Sequence, residues 1–241
     1  MKKILLLVSI LGATLFANDM QNHKMMGHNM KNSDSKKMAN FRAVPLHKAT
    51  ILQKGDSKTY CPICGMTLNM FYKTNHAASH NGHNKQYCSI HCAVEDKEVN
   101  NTDLSNFKVV DAKTLKFIDS KNAFFVVGSS KPGTMSMVSK YAFSKKSDAQ
   151  KFANKNGGKI LKFNELYLSV KKSLKKEMMM VSKKQAKAAK MGQKIYKKMC
   201  KQIDNKFSST AQAKSFITAN KTCGNLKGKK LQMVGLYLGK K

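Results

Sequence analysis

The sequence predicts an α+β fold: a small sheet with a treble-clef unit and one packed helix, followed by a small, mostly α C-terminal domain. Three observations carry this. Residues 107–163 read as short strands separated by turn residues, then one helix, then a closing strand. A Cys-x-x-Cys pair, Cys61 and Cys64, faces Cys88 and Cys92 across a 23-residue spacer, the arrangement of a hairpin knuckle and a following helix. From residue 171 the chain becomes lysine-dense and reads as helical.

Taken in order, residues 1–17 have the form of a secretory signal: Lys2 and Lys3, then the apolar run Ile4 to Phe16, then Ala17 as a cleavage position. The run is too short to span a bilayer comfortably, and no cysteine near Ala17 offers a lipid-attachment site, so a periplasmic location without a lipid anchor is expected. Residues 18–40 are polar and expected to be disordered. They interleave Met20, His23, Met25, Met26, His28, Met30 and Met38, which makes them either a biased low-complexity tail or a weak metal-collecting arm.

Residues 41–170 are expected to form the metal-binding domain. Gly55-Asp56 is a turn, Thr67–Tyr72 reads as a strand, and Asn75–Gln86, with His76, His80 and His83, reads as a hairpin loop. Ser89 is placed to cap a short helix reaching about Val94 or Lys97. Strands are expected at Phe107–Asp111, Thr114–Asp119 and Ala123–Val127, and Gly128–Gly133 is a loop. Ser147 should cap a helix Asp148–Asn156 that stops at Gly157-Gly158, with a last strand at Lys159–Phe163. Residues 171–190 are read as a lysine-rich connector, helical in part, and residues 191–241 as a small helical domain.

The formal charge is +32, and Arg42 is the only arginine. A nucleic-acid partner is not expected, because the lysines are spread along the chain rather than interleaved with aromatics, and the bidentate guanidinium contacts that read phosphates and guanine are almost absent. A solvated lysine surface attracted to an anionic membrane or an acidic partner is the better reading. With only 13 acidic residues and no nucleophile triad or phosphate loop, the chain is not read as an enzyme.

Six cysteines in an oxidising compartment ordinarily mean disulfides. The spacing of Cys61 and Cys64, with Pro62 and Gly65 shaping the turn, points instead to metal or redox chemistry. Cys88 and Cys92 are candidates for copper ligands, for a zinc site with the first pair, or for a disulfide. His76, His80 and His83 are spaced so that they could touch one ion, while His91 is read as solvated. Cys200 and Cys223 are read as a disulfide, with a further Cu(I) site as the lesser option, and Met178-Met179-Met180 as a helix face rather than a copper relay.

Cys61-Pro62-Ile63-Cys64-Gly65-Met66, the run Ala123–Ser129, Gly133-Thr134-Met135, Tyr141-Ala142-Phe143 and Asn156-Gly157-Gly158 together resemble the NosL family of nitrous oxide reductase accessory proteins over about residues 58–168. The cysteine spacing also resembles, more weakly, a TRASH-type metal-binding module. The NosL resemblance implies an α+β domain of ββαβ-like units and an exported Cu(I) chaperone serving nitrous oxide reductase or its maturation machinery. It places Cys61, Cys64 and Met66 on the family motif and Met135 on the methionine of a second loop. Cys88 and Cys92 are not a general feature of that family, which leaves zinc as the other metal for the site. Two segments, Met191–Cys200 and Lys230–Leu238, resemble the first and last helices of a class I cytochrome c, but Cys200 is followed by Lys201-Gln202-Ile203 and lacks the haem-attachment pattern.

Overall fold

The computed structural model describes residues 40–239; the expected signal peptide and all of the Met/His-rich tail except Asn40 lie outside them. The described residues belong to one compact unit. After the cysteine knuckle, Leu68–Thr74 is a 3-10 helix rather than the expected strand. The strand pairing lies one step later, inside the stretch read as a loop: β1 (His76–His80) and β2 (His83–Tyr87) pair with His80 opposite His83 and His76 opposite Tyr87. Asn81 and Gly82 both have positive φ and form the two-residue turn, a geometry that matches the twist of an antiparallel pair. The histidine-rich flanks are therefore strands, and only two residues are loop.

Helix α1 (Ile90–Glu98) follows with Ser89 at its N-cap, although the serine hydroxyl makes no capping bond. Strand β3 (Ser105–Val110) returns antiparallel to β1, with an irregularity between Ala77 and Ser79, and β4 (Phe117–Asp119) pairs with β3. The first sheet thus has the order β2-β1-β3-β4. β4 is shorter than expected because the Asp111 carboxylate accepts from the Lys113 amide and the chain turns through Leu115 at φ 61°. A second sheet, order β6-β5-β7, is built from β5 (Phe124–Val127), β6 (Lys140–Phe143) and β7 (Lys159–Leu161). Between β6 and β7 lies α2 (Lys146–Asn156), which starts just before the expected cap and ends at Gly157.

Phe163 opens α3 (Phe163–Met199), so the last strand stops short of it. This helix runs unbroken through the lysine-dense stretch and, at 1.5 Å per residue, is about 55 Å long. Its first half buries Leu166, Val170 and Leu174 at helical spacing against Ile90 and Val94 of α1, Val109 and Phe125. Its second half packs on α5 (Gly228–Leu238), which with α4 (Thr210–Asn220) encloses Ile217, Leu231, Val234 and Leu238. At Gly192 the two helices approach so closely that a Cβ would lie 1.9 Å from the Met233 carbonyl oxygen, so glycine is required there. A disulfide joins Cys200, just after α3, to Cys223, just after α4. No helix among the described residues is long and apolar enough to cross a membrane.

Candidate metal centre

Cys61 and Cys64 lie on the knuckle, Cys88 directly after β2, and Cys92 in the first turn of α1. The knuckle is closed by the Met66 carbonyl accepting from the Cys61 amide at 2.9 Å and by the Cys61 carbonyl accepting from the Gly65 amide at 2.8 Å. Gly65 has φ 70°, and a Cβ there would meet Thr210 Cγ2 at 2.4 Å, so both backbone shape and the packing of α4 demand glycine.

The fold brings the four sulfurs together: all lie within 4.8 Å of one another. Cys64 and Cys88 Sγ are 3.4 Å apart, and Cys88 and Cys92 Sγ 3.7 Å. A tetrahedron of thiolates around an ion at about 2.3 Å has sulfur separations of about 3.8 Å, so the set is already near coordination geometry. All four cysteines are buried. Burial raises the Cys61 thiol, but the three neighbouring thiols that hydrogen-bond to its sulfur outweigh that and hold it well below the usual thiol range, while Cys88, desolvated and facing the others, is pushed well up. Such a group keeps one thiolate available and releases further protons when a cation replaces them.

Met66 and Met135 pack against this cluster and, with Cys64, border one cavity of about 670 Å³. Met135 sits at φ 59°, a left-handed conformation that side chains rarely adopt and that surrounding structure must enforce. That enforcement is visible. Arg42 donates to the Gly133 carbonyl, Thr134 Oγ1 lies 2.9 Å from the Thr74 hydroxyl, and Ser136 donates to Glu177 at 2.7 Å. Thr74 in turn donates to the Cys88 carbonyl at 2.8 Å, tying the methionine loop to the cysteine cluster.

Several residues of the site carry no local sequence signal. Lys214 of α4 is fully buried, and its ammonium donates to the Gly65 carbonyl at 2.5 Å, Thr67 Oγ1 at 3.2 Å and Gln232 Oε1 at 2.8 Å, over the Tyr60 ring. Burial lowers its pKa to about 7 against the pull of the nearby thiolates. Gln232 of α5 donates to the Cys64 carbonyl at 2.9 Å, so both C-terminal helices grip the knuckle. His91, read as solvated, is instead buried, with Nδ1 2.9 Å from Glu177 and Nε2 3.4 Å from Glu95. Desolvation works against its protonation, but the two carboxylates prevail and raise its pKa.

The other histidines do not reach the cysteines. His76 points into the core and stacks on Phe125, His80 Nδ1 lies 2.9 Å from the Asp103 carbonyl, and His83 closes the hairpin opposite His80. Among the described residues, the His, Cys, Asp and Glu side chains grouped closely enough to hold an ion are the four cysteines. With its cysteines in a disulfide, the Cys200/Cys223 pair offers no thiolate.

No curated protein matches the chain. Among solved structures, the crystal structure of the copper chaperone NosL from Shewanella denitrificans is similar at 26% identity and a TM-score of 0.39, covering 47% of this chain and 92% of that one. A family model described as NosL matches residues 52–170, a span that contains the knuckle, the Cys88/Cys92 pair and the Met135 loop. The NosL match therefore holds for residues 52–170, just under half of the chain.

Proposed function

We propose that the protein is an exported Cu(I) chaperone that carries copper for the maturation of nitrous oxide reductase in the periplasm, with Cys61, Cys64, Cys88 and Cys92 holding the ion and Met66 and Met135 at its outlet. The observation that supports this most is the placement of Cys64: its thiol belongs to the buried group of four and also borders an open cavity beside two thioethers. Cu(I) is soft, accepts low coordination numbers, and exchanges between thiolate and thioether donors, so an ion at Cys64 has both a tight seat and a weaker one next to it. The NosL match over residues 52–170 and the signal-like residues 1–17 support the partner and the compartment of this reading. Delivery needs no bond-making on a substrate, and the role is that of a carrier rather than a catalyst.

Full burial of all four sulfurs favours a second reading, a zinc-filled structural cluster, since closed tetrathiolate sites are typical of zinc. Thiol exchange by Cys61 and Cys64 is less favoured, because an attacking thiolate must be reachable by its partner. Anaerobic titration of the reduced protein with Cu(I) against a cuprous chelator, in the presence and absence of zinc, decides between the metals. The copper reading expects Cu(I) to displace zinc and Cys64→Ser to weaken Cu(I) binding; retention of zinc under Cu(I) excess would overturn it.

A further inference from the structure

The cavity that starts at Cys64 continues away from the NosL domain, and its far wall is made by α3 and α5. Three further methionines line it: Met137 from the loop after Met135, Met180 from α3 and Met233 from α5. With Met66 and Met135, five of its nineteen lining residues are methionine, against 16 of 241 in the whole chain. An ordinary apolar groove is served equally well by leucine, isoleucine or phenylalanine, yet only one leucine and no isoleucine or aromatic residue lines this one. Met180 and Met233 lie beyond residue 170, outside the segment that matches the family.

The chemistry of the wall is selective. A thioether binds without losing a proton and prefers Cu(I), so it competes at any pH but more weakly than a thiolate. Hard cations find little here. Glu177 is the one carboxylate on the lining, and its oxygens are engaged by His91 and Ser136. Lys176, Lys184 and Lys229 on the same lining repel a doubly charged ion about twice as strongly as a singly charged one. The position is also held in place: Gly192 seats α3 on α5 beside Met233, and Gln232, the neighbour of Met233, donates to the Cys64 carbonyl.

We infer that Met137, Met180 and Met233 form a second, thioether-only Cu(I) site, an outer station through which the ion passes to and from Cys64. This rests on the copper reading above. The ion remains monovalent throughout; a thioether leaves as a thiolate enters, and the thiol proton goes to water.

The test uses the full reduced chain with 13C-methyl methionine and Ag(I) as a redox-stable probe. The first equivalent is expected at the thiols, and the second should shift the methyl resonances of Met137, Met180 and Met233 while leaving unmoved Met70 and Met199, which are exposed as Met137 and Met180 are but do not line the cavity. Combined Met137→Leu, Met180→Leu and Met233→Leu should lose the second equivalent, keep the first, and slow release to a chelator. A second equivalent that moves Met20, Met25, Met26, Met30 and Met38 instead, or that survives in the triple variant, overturns the outer station. A first equivalent unaffected by Cys64→Ser overturns the thiol site itself, whatever the methyl groups show.

Discussion

Lowering the pH should destabilise the metal-free protein through His76. The imidazole is buried, its ring stacks on Phe125 at 6.1 Å and 13°, and Nδ1–H donates to the Thr74 carbonyl at 3.2 Å. The other nitrogen, Nε2, is buried with no hydrogen-bond partner, so a second proton would place a charge where nothing solvates it. Burial lowers its pKa to about 4, from an ordinary 6.5, with Lys140 adding repulsion. Between these values the unfolded chain binds the proton and the folded one does not, so stability falls as pH falls through that window. The difference of about 2.5 units amounts to about 3 kcal/mol, or roughly 10 °C in Tm for a chain of this size. His91, whose pKa is raised, contributes stability that is present below 6.5 and lost only at higher pH, while Asp96, Asp111 and Glu177, whose pKa values are lowered, lose theirs mainly below about pH 4.5. The assay is a set of thermal melts of reduced, chelator-treated protein from pH 7 to 4, with His76→Leu beside the parent. The variant should show a flatter profile across the window; identical slopes in the two proteins would refute this account.

Other perturbations read the site more directly. Gly65→Ala imposes a left-handed alanine and a 2.4 Å clash with Thr210, and urea unfolding should register a loss of about 2–4 kcal/mol; a change under about 0.5 kcal/mol would be that of an ordinary surface position. Lys214→Met removes the buried cation beneath a cluster whose thiolates outnumber the charge of a monovalent ion, and should weaken Cu(I) binding by about 10- to 100-fold in chelator competition; undiminished affinity would show that Lys214 only supports the knuckle sterically. Replacing Cys200 and Cys223 with serine opens a loop whose ends are 23 residues apart, worth about 3 kcal/mol. Hydrogen exchange should accelerate in α4 and α5 while β5 keeps its protection, and uniform exchange across both regions would argue that the disulfide holds the whole unit.

Local features carried much of the architecture. Ser89 heads α1, Phe124–Val127 forms a strand and Gly157 ends α2, as their local patterns predict; Asn81-Gly82 sits inside a stretch that reads as loop, and Leu166 and Val170 precede the stretch that reads as helical, yet both follow local rules. The misreadings arose where a neighbourhood favoured two outcomes. Thr67–Tyr72 has strand-forming residues, but the pairing positions on β1 are already taken by β2 and β3, so it coils into a 3-10 helix over the core. The lysine-dense stretch looked like a linker because its charges face solvent, whereas Leu174 and Met178 hold its start on the first core and Ile195 and Tyr196, just beyond it, pack the same helix into the core that α4 and α5 share.

By itself, the sequence determined the donor chemistry: thiols on a glycine-shaped knuckle, a second pair at the head of a helix, and a methionine after Gly133-Thr134. That same knuckle-and-helix arrangement already brought the two cysteine pairs together, as the structure has them; tertiary structure alone decided that His76 is core and His91 an ion-paired strut, and that α4 and α5 close over the knuckle. The contacts responsible join residues as far apart as Lys214 and Gly65 or Gln232 and Cys64, 149 and 168 positions along the chain. Partners so distant leave no trace in local periodicity or spacing, because what selects them is the packing of whole helices onto a finished sheet.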